Sequence, residues 1–149
     1  MKKHLYNSLI AFFGGLFGVS VLFIVYRLIS NAGLFQNPFP PTILGYFLYY
    51  LLFISFIEEG TKFLLIKREI GQFPYGFLLG FGFGVGEMML KYPFWESGVI
   101  FSFKFPAVLL HIITAGIICY FVKKNRPILG LLIAIILHTG FDLLAQFSA

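Results

Sequence analysis

The chain has 149 residues, 59% of them hydrophobic and 11% charged, with a mean hydropathy of +0.91. A water-soluble domain carries about 25% charged residues, so this composition excludes one. The net charge of +5 does not mark a nucleic-acid binder either, because the basic residues collect in short breaks between apolar runs, as topology signals do.

A membrane helix needs about 20 apolar residues at 1.5 Å rise each, and five segments meet that need. The first, roughly 5–30, is too long for the apolar region of a signal peptide and has no small-residue cleavage site behind it, so it reads as a retained span. "NAGLFQNPFPP" (31–41) breaks it with turn residues and prolines. The second span is roughly 42–66, and "KREIGQFPYG" follows as a charged break. The third, roughly 75–91, is short and glycine-rich, and a loop with Pro93, Trp95 and Glu96 closes it. The fourth is roughly 104–122. After "KKNRP", where Asn125 is turn chemistry, the fifth runs roughly 128–147. The expected fold is one all-α membrane domain over 1–149, a bundle of about five transmembrane helices around a central polar site.

Alternating spans put Lys2, Lys3, Lys67, Arg68, Lys123, Lys124 and Arg126 on one side, against Lys91 and Lys104 on the other. The positive-inside rule makes the N-terminus cytoplasmic and the C-terminus external. Arg27, near the outer end of the first span, can snorkel outward. Gly76, Gly80 and Gly84 recur every four residues, as do Gly82 and Gly86. That spacing lets helix backbones approach closely in lipid, and the expectation is that the third span packs centrally against the helices bearing Glu58 and His138. The same string contains a GxGxxG pattern, but no strand precedes it, so a phosphate loop is set aside. Cys119 is alone in an apolar run, which excludes an intramolecular disulfide.

The informative residues are charges where leucine would be expected. "FIEEGTKFLLI" (56–66) carries Glu58, Glu59 and Lys62 inside an apolar span, and one charge at the centre of a membrane helix costs roughly 2.5–3.5 kcal/mol on insertion scales. Glu87, His111, His138 and Asp142 are embedded in the later spans. Counted from the nearest basic break at helical rise, Glu58 and Glu59 lie ~12 Å deep, Glu87 and His138 ~16 Å, His111 ~18 Å and Asp142 ~22 Å. Four helices thus bring acids and imidazoles to nearly one level. Embedded ionisable groups face the bundle interior and pair there or mark a functional site. Carboxylates with histidines make either a metal site or an acid–base site that activates water. Lys62 is one turn from both glutamates and lowers the cost of the pair. His138 and Asp142 share a helix face at i, i+4. His4, beside Lys2 and Lys3, reads as a solvated terminus, and Glu69 and Glu96 as loop charges.

These motifs resemble a known group. "EEGTK" (58–62) matches the EExxK motif of the PrsW family of intramembrane proteases, and "FGVGE" (83–87) its FxxxE element. "LLHIITAGIICY" (109–120) resembles its histidine-bearing helix, and "LHTGFD" (137–142) matches its closing HxxxD/N element. The resemblance covers roughly residues 42–147 and extends more distantly to the CAAX prenyl proteases, where a histidine stands in place of Glu87. It implies an intramembrane endopeptidase in a prokaryotic-type cytoplasmic membrane, acting on a membrane-anchored or lipidated protein. Glu58 and Glu59 would be the acid–base pair. Glu87, His111, His138 and Asp142 would complete the site, with Lys62 in support. One chemistry has a glutamate take a proton from water while His138 and Asp142, or His111, hold the developing oxyanion. The other uses a divalent metal such as zinc, held by His111, His138 and a carboxylate such as Glu87. No HExxH motif is present, which tilts the balance towards the metal-free version. Two further classes stay open: a proton or cation pathway, and a non-catalytic membrane scaffold.

Overall fold

The computed structural model describes residues 2–31, 39–66, 73–91 and 105–148. Five helices account for nearly all of them: α1 (Lys2–Asn31), α2 (Ile43–Leu65), α3 (Phe73–Lys91), α4 (Phe105–Lys123) and α5 (Pro127–Ser148). Each expected span is matched by a helix, with its ends shifted by two residues or fewer in most cases and by three at the start of α1. Among the described residues α1, α2, α4 and α5 are long and apolar enough to cross a membrane. The loop charges Glu69 and Glu96 and the Pro93–Trp95 loop lie outside the described residues.

Local chemistry sets the boundaries. Thr42 caps α2, its hydroxyl accepting from the Gly45 amide at 3.1 Å. Asn125 turns α4 back into α5 from the left-handed region (φ 56°), as its place in "KKNRP" suggested, and Pro127 opens α5 where its missing amide proton costs nothing. The residues from Tyr50 to Ser55 of α2 form a π-helical stretch.

The helices alternate in direction. His4 bonds Tyr75 and Gly82 meets Phe12, so α1 and α3 run parallel. Gly76 meets Cys119 while Gly84 meets Val108, so α3 and α4 are antiparallel. Tyr50 reaches Gln146 while Glu59 reaches His138, so α2 and α5 are antiparallel. His4 is therefore not simply a solvated terminus: its Nδ1 lies 2.9 Å from the Tyr75 hydroxyl and pins the start of α1 to α3.

The two glycine series of α3 serve two partners. Gly76, Gly80 and Gly84 face α4, where a Cβ on Gly80 would strike the His111 backbone. Gly82 and Gly86 face α1, against Phe12 and against Leu16 and Val19. This corrects the expected partners. The main neighbours of α3 are α1 and α4, not the helices carrying Glu58 and His138. The reason is steric: two glycine stripes on opposite sides of one helix admit two close neighbours, and α2 and α5 pack across the bundle instead.

At the end where α1 begins, Ala11, Phe63, Ile66, Tyr75, Leu79, Ala115, Ile118, Cys119 and Ala134 form a dry apolar core. The polar groups lie directly above it. Along α2, Ser55, Glu59, Lys62, Phe63 and Ile66 are buried while Phe56 and Leu64 are exposed. The buried stripe keeps helical period and carries the polar Ser55, Glu59 and Lys62 beside Phe63 and Ile66, whereas the outward face is apolar at Phe56 and Leu64. That inversion is what lipid as solvent favours, since the outer face needs no polar groups and the inner face can pair them.

Candidate functional site

Glu59 is the hub. It is fully buried, and its Oε1 accepts from Lys62 Nζ at 2.5 Å, from His138 Nδ1 at 2.6 Å and from the Thr114 hydroxyl at 3.2 Å. These partners come from α2, α5 and α4, so one carboxylate ties three helices together. Lys62, also fully buried, donates further to His111 Nδ1 at 2.8 Å and to the Thr114 oxygen at 3.0 Å. Its ammonium sits 4.9 Å from the centre of the Phe83 ring, which adds a cation–π contact in a desolvated place.

The ring protons follow from donor and acceptor chemistry. An ammonium only donates, so His111 Nδ1 accepts and its Nε2 carries the proton, directed at Glu87 Oε2. A carboxylate only accepts, so His138 carries a proton on Nδ1 for Glu59. His138 Nε2 then faces Glu58 Oε2 and Asp142 Oδ2, each 3.6 Å away. The two imidazoles meet edge to face with centres 5.1 Å apart. The result is a continuous series, Glu58, His138, Glu59, Lys62, His111, Glu87, beginning and ending on carboxylates.

Those two end carboxylates share a cavity of about 370 Å³, within the range of small ligand sites. Glu58 and Glu87 lie on its floor. Its walls are mostly apolar, from Val19, Leu22 and Phe23 of α1 and from Phe53, Ile54 and Ile57 of α2, with Tyr26, Arg27 and Ser30 of α1 also lining it. Glu58 is 15% exposed and Glu87 13%, against none for Glu59.

Every residue singled out from the sequence — Glu58, Glu59, Lys62, Glu87, His111, His138 and Asp142 — therefore belongs to one cluster. They do not share one environment. Glu59, Lys62 and His111 are sealed inside, whereas Glu58 and Glu87 reach the cavity. Asp142 stands at the edge, 20% exposed. Three polar partners were not anticipated. Thr114 holds both Glu59 and Lys62, and the Thr139 hydroxyl donates to Ser55 at 3.0 Å beside the site. A usable signal existed: Thr114 is three residues after His111, Thr139 follows His138, and Ser55 is one turn before Glu59.

The donor set suits a divalent cation in part. Atoms of Glu58, His111 and His138 lie within 4.8 Å of one another, and imidazoles with a carboxylate are zinc chemistry. His138 fits best, because Glu59 holds its far nitrogen as a metal-bound histidine requires. His111 fits only once Lys62 no longer donates to Nδ1, since that contact leaves the proton on Nε2. Glu59 Oε2 is buried without a hydrogen-bond partner among the described residues, and a bound water or cation would satisfy it.

Comparison of the chain with family models, with curated proteins and with solved structures gives no match.

Proposed function

We propose that the protein is an intramembrane endopeptidase that hydrolyses a peptide bond of a membrane-anchored protein at the floor of this cavity. The observation that carries the reading is the pair Glu58 and Glu87. Two carboxylates from different helices face one cavity with mostly apolar walls, each backed by a histidine. Peptide hydrolysis needs a base on one side of the carbonyl and a proton donor on the other.

In this mechanism Glu58 takes a proton from water, and the oxygen attacks the peptide carbonyl. His138, oriented by Glu59, contacts the same water through Nε2. Glu87 enters the step protonated on Oε1, its Oε2 accepting from His111 Nε2; it delivers the Oε1 proton to the leaving nitrogen, the C–N bond breaks, and an acid and an amine depart. Glu58 then loses its proton to solvent and Glu87 regains one. Glu59 is a positioning residue, as its burial argues against direct contact with substrate. A divalent ion held by Glu58 and His138 would lower the pKa of a bound water and polarise the carbonyl. Metal analysis of the purified protein separates the two versions.

The resemblance of "EEGTK", "FGVGE" and "LHTGFD" to PrsW-type motifs supports the same class. So does the shape of the polar cluster. A conduction path needs polar groups filed along the membrane normal, and these form a knot at one level. The basic ends of the helices favour a cytoplasmic N-terminus.

The test is cleavage of a library of single-span polypeptides by the purified protein. Glu58→Gln keeps size and polarity but cannot accept a proton, so the rate should fall about 10²–10⁴-fold with melting unchanged. A Glu58→Gln protein that cleaves at the wild-type rate would overturn the assignment of the base.

A further inference from the structure

A cation lines the same cavity as the two open carboxylates. Arg27 stands on α1 with Tyr26 and Ser30, beside Leu22 and Phe23. An arginine near a helix end in lipid usually extends its head to the polar surface. Arg27 bends the other way: its Cζ lies 5.2 Å from the centre of the Phe23 ring, one turn nearer the start of α1. Phe23 is part of the cavity wall, so cation–π attraction holds the guanidinium over the cavity. A guanidinium that meets a ring by its face keeps its N–H donors at its edge, a planar fork that fits a carboxylate. Ser30 follows at i+3 on the same helix face and adds a hydroxyl. Both residues are exposed, so a ligand reaches them.

The height of this cation above the floor can be counted. α1 and α3 run parallel, and Val19 meets Gly86, the neighbour of Glu87. Phe23 and Arg27 come about one and two turns after Val19, so the guanidinium stands roughly 6–12 Å beyond the level of Glu87. An extended chain advances about 3.3–3.6 Å per residue, which makes that gap about two to four residues. We infer that Arg27 and Ser30 bind a carboxylate side chain of the polypeptide substrate, an aspartate or glutamate about two to four residues from the bond that is cut. That the ligand is a polypeptide rests on the hydrolase reading; the anion site rests on Arg27. Between mouth and floor, Leu22, Phe23, Phe53 and Ile57 take apolar side chains. Charge sets the position as well: an acid at the floor itself meets Glu58 and Glu87, and like charges repel strongly beside apolar walls. A lipid phosphate is also an anion, but a headgroup lies at the membrane surface, whereas Arg27 bends a turn away from the end of α1 and over the cavity.

The test begins with binding, in which no bond is cut. Acetylated and amidated apolar peptides carry one Asp, or Asn in its place, and a fluorescent label. Their affinity for the purified Glu58→Gln protein in phosphatidylcholine nanodiscs is read by anisotropy. The Asp peptide should bind about tenfold more tightly than its Asn twin. Adding Arg27→Gln should erase that difference and leave the affinity of the Asn peptide unchanged. A measurement on the wild type needs no variant to fold: phenylglyoxal labelling, read by mass spectrometry, should show Arg27 protected by the Asp peptide and not by the Asn peptide, with Arg126 labelled alike in both. Equal affinities, an Asp preference that survives Arg27→Gln, binding of neither peptide, or equal labelling of Arg27 overturns the inference. So does protection of Arg27 by phosphatidylglycerol but not by the Asp peptide, which assigns the cation to a lipid headgroup. Cleavage gives a second readout. When one Asp is moved residue by residue along a single-span polypeptide, the cut should follow it at about two to four residues, and Arg27→Gln should raise KM while keeping kcat. A cut that ignores the Asp overturns the inference and leaves the hydrolase reading standing. Asp-selective binding without cleavage by the wild type removes the hydrolase reading and leaves the anion site.

Discussion

Glu58 and Glu59 are the same residue at adjacent positions, yet they live in different regions. Glu59 points into the sealed knot between α2, α4 and α5 and accepts from three side chains. Glu58 points to the cavity between α1, α2 and α3. Gly14 and Gly15 repeat the contrast: nothing lies near a Cβ on Gly14, whereas one on Gly15 would strike the α3 backbone. One residue along a helix is a turn of about 100°, enough to exchange a dry interior for an open face. A residue type therefore carries no role here until its helical phase against its neighbours is known.

Glu59→Gln should produce the largest change. It strands the Lys62 ammonium in the interior, and breaking a buried pair from one side costs about 3–5 kcal/mol. The melting temperature in detergent should fall sharply, while Glu58→Gln melts as wild type. Removing both charges with Glu59→Gln and Lys62→Met should recover much of the loss. Equal melting of the two single Gln variants would erase the distinction between the regions.

The glycines test it next. Gly15→Ala forces α1 away from Leu79, an overpacking that costs about 1–3 kcal/mol, and Gly80→Ala should cost a similar amount against the His111 backbone. A smaller step is Thr139→Val, which removes the donor to buried Ser55 and should cost about 1 kcal/mol. Smallest, and opposite in sign, is Gly14→Ala. With open space around it, alanine gains about 0.5–1 kcal/mol of helix preference, read as a modest rise in melting temperature. A loss at Gly14 as large as that at Gly15 would mean that α1 packs on both faces.

Much of this was legible in the chain. The five helices follow from apolar length, and their ends from Asn125, Pro127 and Thr42. The membership of the site follows as well, because a charge in lipid must find partners and Glu58, Glu59, Lys62, Glu87, His111, His138 and Asp142 stand at similar depths. Depth can be counted along one helix, since the rise per residue is constant. What the count lacks is rotation. Whether Glu58 or Glu59 meets the cavity depends on how α2, with its π-helical stretch before Phe56, is turned relative to α4 and α5. The partners of α3 depend on which glycine stripe meets which helix, and Thr114, Ser55 and Thr139 enter the site only because neighbouring helices point at them.

The sequence by itself determined a membrane bundle, its five helices, four of them long and apolar enough to cross a membrane, and the polar residues that must gather inside it, because hydrophobic length and the cost of charge in lipid act on each segment separately. Only the tertiary structure decided which carboxylate is sealed and which is open, which nitrogen of each histidine bears the proton, and which helices line the cavity. Those depend on contacts between helices distant in sequence, such as Lys62 with His111 and Tyr26 with Tyr49. No single segment encodes them, because the energy of each contact exists only once both helices are in place.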